Sequence, residues 1–114
     1  MSIIPKLATS LDRRDEVPNI QLAEQIVSAN NTAAVQELID HLDDKNKAIR
    51  HDCIKVLYEI GDRQPQLIAD YAEAFINLLH SKDNRMVWGG MTALGAIAAL
   101  QSTKIWKHID VVLK

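Results

Sequence analysis

The sequence predicts an all-α fold in which about six helices stack as antiparallel pairs. The 114 residues include 4 glycines and 3 prolines, a content that suits helices and is sparse for an all-β chain. Apolar residues recur at helical spacing along most of the chain. A helix–turn–helix pattern also repeats with a 37-residue offset, so that residues 45–61 correspond to residues 82–98. Because 47% of the residues are hydrophobic and 4% are aromatic, the core is expected to be aliphatic.

The first 31 residues are expected to form the N-terminal helices. Apolar residues at helical spacing predict a short helix over residues 6–14. Pro18 suits the first turn of the next helix, where its missing N–H would have no intrahelical partner. Asn30 and Asn31 are expected to end that helix, because asparagine tolerates the left-handed conformation.

The first repeat is predicted to span residues 32–61. Thr32 is the expected cap of its first helix, and residues 43–46 form the turn. Gly61 is the expected C-terminal stop of its second helix. The apolar positions of the two helices are Val35, Leu38, Ile39, Leu42, Ile49, Cys53, Val56, Leu57 and Ile60.

The second repeat is predicted to span residues 65–100. The 37-residue offset places Ile76 and Leu79 on apolar positions of the first copy, so both are expected to face the core. A junction is expected at Gln101 and Ser102, with Ser102 or Thr103 as a cap. Residues 102–114 would then be the first helix of an incomplete third repeat.

Helical hairpins of this kind cannot bury both of their faces alone, so they stack on one another. The pattern resembles the HEAT and armadillo class of α-solenoids, particularly short bacterial HEAT-like repeats. The resemblance implies a right-handed superhelical stack, a concave binding surface lined by the second helices, and neither a cofactor nor catalytic residues. It rests on Leu42, Asp44, Lys45, Asn46, Ile49, Arg50, Leu57, Ile60 and Gly61, and on Leu79, Asp83, Leu94, Gly95 and Ile97.

Composition and charge restrict the partners and the compartment that are expected for the chain. A formal charge of −2 gives no global attraction to nucleic acid or anionic lipid. The apolar runs are too short for a signal peptide or a membrane span, so no membrane partner is expected. The single cysteine excludes a disulfide within the chain and a cysteine-based zinc site. A cytoplasmic protein is the resulting prediction.

The consecutive residues His51, Asp52 and Cys53 are the types that make up a nucleophilic site. Adjacent helical residues point about 100° apart, however, and do not face each other. Cys53 also lies on the apolar stripe, which predicts a buried and inert thiol. The four histidines form no i, i+4 pair, so neither a metal site nor a catalytic site is predicted.

Trp88, Gly89 and Gly90 are the most unusual local feature. Two glycines in a helix indicate close approach of another backbone or a ligand. They either pack against a neighbouring helix or form a shallow binding notch beside an exposed Trp88. The predicted partner-binding face consists of His51, Asp52, Lys55, Glu59, Trp88, Gly89 and Thr92.

Four bases lie at the two inter-helix turns, and they could hold a phosphate group. They are Lys45, Lys47, Lys82 and Arg85. The acidic neighbours Asp43, Asp44 and Asp83 favour ordinary solvated turns instead.

The expected function is a non-catalytic module or scaffold that binds another protein through its second-helix face. One alternative is a nucleic-acid-binding or DNA-repair protein similar to the HEAT-like alkylpurine glycosylases, although the net negative charge of the chain disfavours nucleic acid as a partner. The other alternative is a structural homodimer that pairs through the C-terminal helix.

Overall fold

The computed structural model describes residues 3–7 and 17–113, with the side chains of residues 3–7 and 17–100. All the regular structure in these residues is helical, as the sequence predicts, and they contain no strand. The helices are α1 (Val17–Ala29), α2 (Thr32–Asp40), α3 (Lys47–Arg63), α4 (Ala72–Leu78) and α5 (Asn84–Leu113). Single 3-10 turns occur at Ile4–Lys6, Pro65–Leu67 and Ala69–Tyr71. Most of the predicted helix over residues 6–14 lies outside the described residues.

Helix α3 is the central element of the fold. Helices α1, α2 and α5 all pack against it, and α4 packs against α5. Near the start of both helices, His51 of α3 contacts Asp83, which precedes α5. Further along, Gly61 of α3 lies against Ala96 of α5. The second contact lies closer to the C-terminus than the first in both helices, so α3 and α5 run parallel to each other, side by side.

The core is aliphatic, as predicted, and α3 supplies its centre. Cys53, Val56, Leu57 and Ile60 are fully buried, which confirms the predicted stripe except for Ile49, which is partly buried. Ile54 is buried as well, because it faces α5. The other helices add Leu22, Ala23, Ile26, Val35, Leu38, Phe75, Met86, Ala93 and Ile97. Each buried Leu, Ile or Val side chain contributes about 1.5–3 kcal/mol to stability.

The same capping arrangement precedes α3 and α5. The side chains of Asn46 and Asp83 each accept a hydrogen bond from the backbone N–H two residues on, at 2.9 and 3.1 Å. The backbone N–H groups of Asn46 and Asp83 in turn donate to Asp44 Oδ1 at 2.8 Å and to Ser81 Oγ at 3.0 Å. Asn46 and Asp83, like Asp44 and Ser81, are related by the 37-residue offset. The correspondence in the sequence therefore extends to the geometry of the helix starts.

The predicted junction at Gln101 and Ser102 is wrong, because α5 continues through it from Asn84 to Leu113. Serine favours a helix start only where the chain has already left the helix, and residues 96–103 contain no glycine or proline to break it. The described chain therefore contains five α-helices instead of six, and residues 102–113 continue α5.

Gly61 does not end α3, which continues to Arg63. A Cβ atom at Gly61 would lie 2.6 Å from Ile68 Cδ1 and 3.3 Å from Ala96 Cβ. The glycine is needed for close packing, and the prediction of a C-terminal stop was wrong.

Two apolar residues predicted to face the core are exposed instead. Ile76 and Leu79 expose 45% and 39% of their surface, whereas Phe75 is fully buried. Helix α4 follows two 3-10 turns, and the burial of Phe75 sets its rotation. The correspondence with the first repeat therefore does not fix which face of α4 is buried.

The turn between α1 and α2 agrees with the prediction except for the residue that caps α2. Asn30 adopts the left-handed conformation, with φ 50°, as predicted for a residue that ends a helix. The cap of α2 is Asn31 instead of Thr32, because Asn31 Oδ1 accepts a hydrogen bond from the Ala34 N–H at 3.1 Å.

The glycines of α5 give a matched pair of stability tests. A Cβ atom at Gly89 would lie 2.5 Å from Ile54 Cγ1, a β-branched side chain with little freedom to move. Gly89→Ala is expected to lower the free energy of unfolding by about 1–3 kcal/mol through overpacking. At Gly95 a Cβ atom would meet none of the described atoms within 4 Å.

Gly95→Ala is therefore expected to raise the free energy of unfolding by about 0.4–1 kcal/mol. Urea unfolding followed by circular dichroism measures both variants. Equal effects of the two substitutions would show that Gly89 is not a packing residue.

Candidate functional site

The residues His51, Asp52 and Cys53 point in three different directions from α3. The His51 Nε2 atom lies 2.6 Å from Asp83 Oδ2, on the side of α5. Asp52 Oδ1 accepts a hydrogen bond from Asn19 Nδ2 at 2.9 Å, on the side of α1. Cys53 is fully buried in the core. The three side chains therefore do not form a common site.

The environment of Cys53 disfavours its reactive form. Burial raises the pKa of the Cys53 thiol to about 12, and the nearby negative charges of Asp52, Asp44 and Glu37 add to the shift. Since the thiolate is the nucleophile and the metal ligand, a thiol with this pKa is inert at neutral pH.

The predicted partner-binding face divides into two groups. Gly89 is buried against Ile54, and a Cβ atom on Gly90 would lie 3.0 Å from the Phe75 carbonyl oxygen. The glycine pair therefore allows α5 to approach α3 and α4 closely, and it does not form a binding notch. Gly89, like His51 and Asp52, is directed at a neighbouring helix.

The remaining members lie on the outward side of α3 and α5, together with one residue that was not predicted. Lys55 Nζ lies 4.9 Å from the centroid of the Tyr58 ring. The Tyr58 and Trp88 rings meet edge to face, with centroids 5.7 Å apart and planes at 86°. We call Lys55, Tyr58, Glu59, Trp88 and Thr92 the outer face. Trp88 is its most prominent member, with 59% of its surface exposed.

Tyr58 was missed because the sequence comparison aligned it with a glycine, Gly95. One signal was present: Tyr58 follows Lys55 by three residues, which places the two side chains on the same side of a helix.

A row of side chains of alternating charge extends from the outer face along α3. Glu59 accepts hydrogen bonds from Lys55 Nζ at 3.0 Å and from Arg63 Nη1 at 2.8 Å. Arg63 also lies 3.6 Å from Glu24 of α1. Partial burial opposes the charge of Lys55, but the hydrogen bonds with Glu59 and Tyr58 outweigh it and raise the pKa of the lysine. Partial burial likewise opposes the charge of Glu59, but Arg63 and Lys55 lower the pKa of its carboxyl group.

Asp83 links the start of α5 to α3. Its hydrogen bond with His51 lowers the pKa of the Asp83 carboxyl group below the ordinary value, and the Arg85 N–H and the charge of Lys47 act in the same direction. The carboxylate thus caps α5 with one oxygen and holds α3 with the other.

The four bases at the turns are all exposed, and none has an ion pair within the part of the chain that the structure describes. Lys47 is close enough to Asp83 to influence its charge, and Lys82 and Arg85 flank Asp83 in the sequence. Two of the acidic neighbours are engaged: Asp44 lies 3.0 Å from His41 Nδ1, and Asp83 holds His51. The exposed bases at the two turns therefore lie near two acidic residues, Asp44 and Asp83, that are already engaged with other side chains.

The described residues contain no group of three His, Cys, Asp or Glu side chains that could hold a metal ion. None of the helices in the same residues is long and apolar enough to cross a membrane. A shallow depression lies on α1, lined by Gln21, Glu24, Gln25, Ser28 and Ala29, and it contains no candidate residue.

The burial of Cys53 gives a direct chemical test. The native protein is expected to resist a thiol-specific reagent such as dithionitrobenzoate at pH 8, because the thiol is buried and its pKa is raised. Full reaction is expected in denaturant, where the pKa returns to about 8.5. Rapid stoichiometric labelling of the folded chain would contradict the buried position of Cys53.

The Asp83 carboxylate predicts a specific loss of stability in acid. A carboxyl group whose pKa is lower when folded contributes stability above its unfolded pKa of about 3.9, and this contribution is lost as the pH falls through the folded value. Asp83→Asn keeps a capping side chain but removes the charge. The difference in melting temperature between wild type and this variant is expected to shrink as the pH falls from 7 to 2.

Asp62→Asn, at an exposed position of α3, is the charge-matched control for this experiment. A difference between wild type and Asp83→Asn that stays constant across the pH range would show that the Asp83 charge does not stabilise the fold.

Comparisons with known proteins add no family assignment. No protein-family model matches the chain, and no curated protein matches it either.

Proposed function

We propose that this chain is a cytoplasmic, non-catalytic protein-interaction module built from HEAT-like helical repeats. A partner protein binds to the outer face of α3 and α5. The observation that carries the proposal is the exposed Trp88, whose ring meets the Tyr58 ring edge to face. The cytoplasmic location accords with a single buried cysteine that has no partner for a disulfide within the chain.

Three features support a HEAT-like repeat. The starts of α3 and α5 have matching caps at the 37-residue offset. The two helices run parallel, as the second helices of successive repeats do. The shorter helices α2 and α4 pack against α3 and α5, respectively, as first helices would. In this proposal His51 and Asp83 form the polar link between successive repeats.

The outer face has the properties of an interaction hot spot. Tryptophan and tyrosine are enriched at such sites because they bring a large contact area at little cost in side-chain entropy. Here the edge-to-face contact with Tyr58 orders Trp88 before any partner binds, which reduces that cost further. Lys55 and Glu59 beside the rings supply charged hydrogen-bonding groups that define the direction of approach.

A second proposal, nucleic-acid binding, is favoured by one observation: the four exposed bases at the turns. An alkylpurine-glycosylase-like role would in addition need tryptophan and aspartate in one cleft. Trp88 contacts Tyr58 on the α5 side of α3, whereas Asp52 bonds to Asn19 of α1. The protein-interaction proposal therefore accounts for more of the exposed side chains.

The test is affinity capture with the tagged chain, followed by mass spectrometry. With Trp88→Ala the amount of specifically captured protein is expected to fall at least about tenfold, because a hot-spot truncation costs about 2 kcal/mol or more in binding. Ile76→Ala, which removes an exposed apolar side chain from α4, is the matched control and is expected to keep it.

Circular dichroism of both variants verifies that they are folded. Full retention of the captured proteins by Trp88→Ala would overturn the proposed binding face. A DNA shift assay at low salt is the discriminating measurement for the second proposal. Binding that is lost in Lys47→Glu and Arg85→Glu, but kept in Trp88→Ala, would favour nucleic acid.

A further inference from the structure

The flank of α5 that faces away from α3 is an exposed strip without charge. We call Met91, Gly95 and Ala98 the end strip. Met91 exposes 58% of its surface, and Gly95 and Ala98 are also exposed. The chain has no Asp, Glu, Lys or Arg between Met86 and Thr103, so α5 is uncharged on every side over this length.

The repeat shows what kind of contact these positions make. The 37-residue offset places the end strip on Ile54, Tyr58 and Gly61 of α3. Those three residues contact Gly89, Trp88 and Ala96 of α5, respectively. The end strip is thus the continuation, one repeat further along, of the interface that α3 already makes with α5.

At the opposite end of the molecule the exposed surface is polar. Helix α1 occupies the side of α3 away from α5, and its exposed side carries Gln21, Glu24, Gln25 and Ser28. A polar outer surface of this kind is suited to solvent and not to an apolar contact. Head-to-tail stacking of two copies would place this polar surface on the end strip, which is a poor chemical match.

We propose that the end strip binds the end strip of a second copy of this chain, with the two α5 helices antiparallel about a two-fold axis. Each Met91 side chain then enters the open space at the other copy's Gly95, where a Cβ atom would meet none of the described atoms within 4 Å. A two-fold axis repeats this contact twice, which gives a closed, isologous dimer. In a parallel arrangement the two Met91 side chains would meet each other and both glycine spaces would stay empty.

This inference goes beyond the proposed function and does not depend on it. Met91 and Gly95 follow Trp88 by three and seven residues, so the end strip borders the outer face along α5, whereas the Trp88 ring itself contacts Tyr58 of α3. The dimer contact uses large and small apolar groups that fit together, with no charge to desolvate.

The experiment measures the mass of the full chain by light scattering and sedimentation equilibrium, from low micromolar to near-millimolar concentration. Wild type is expected to reach the mass of a dimer. Gly95→Leu fills the space that receives Met91, and it is expected to raise the dimer Kd at least about tenfold. Asn77→Leu adds the same side chain at an exposed position of α4 and is expected to leave the Kd unchanged.

The melting temperature of Gly95→Leu, measured where wild type is monomeric, is expected to equal or exceed that of wild type. A loss of dimer in a chain of unchanged stability supports the inference. A wild-type monomer at the highest concentration overturns it, as does a dimer that persists unweakened in Gly95→Leu, or growth into open polymers. Loss of partner capture by Trp88→Ala in a strictly monomeric protein would uphold the proposed function while removing the dimer.

Discussion

The close contact between Gly89 of α5 and Ile54 of α3 is the constraint on which the rest of the surface depends. Only a residue without a Cβ atom allows α5 to approach α3 this closely at that point. The approach brings Asp83 within hydrogen-bond distance of His51, and it brings Trp88 to the edge of Tyr58. One packing contact in the core therefore determines both the polar link at the start of the two helices and the aromatic contact on the outer face.

Many of the polar residues that look functional in the sequence have structural partners. Asp44 and Asp83 hold helix starts and histidines, Asn19 binds Asp52, and Glu59 binds Lys55 and Arg63. A buried polar group without a partner would be costly, so such pairs are expected wherever helices meet. The exposed aromatic and apolar side chains are the exceptions, because the fold gives them no full cover. Trp88 and the exposed side chains of α5 therefore remain for the proposed contacts, and the adjacent His51, Asp52 and Cys53 do not.

The two segments related by the 37-residue offset are alike where helices begin and differ where they meet their neighbours. The caps at Asn46 and Asp83 match closely because every helix start has the same unsatisfied N–H groups. At the positions that face the next helix, Ile54 and Tyr58 in α3 are replaced by Met91 and Gly95 in α5. Those replacements change a contact within the chain into a surface with room for another molecule. This difference supports both the outer face as a partner-binding surface and the end strip as a dimer contact.

The sequence by itself determined the helical class, the aliphatic stripe of α3, the inert Cys53 and the turns around Asn46 and Asp83. Each of these follows from periodicity or from local hydrogen bonding, which act over a few neighbouring residues. Only the tertiary structure decided that Gly61 and Gly89 pack against other helices, that Ile76 and Leu79 face outward, and that α5 continues past Ser102. These outcomes depend on which helix lies opposite a given residue, and residues far apart in the chain make that choice. The partner of Trp88 on α3, Tyr58, was hidden for the same reason.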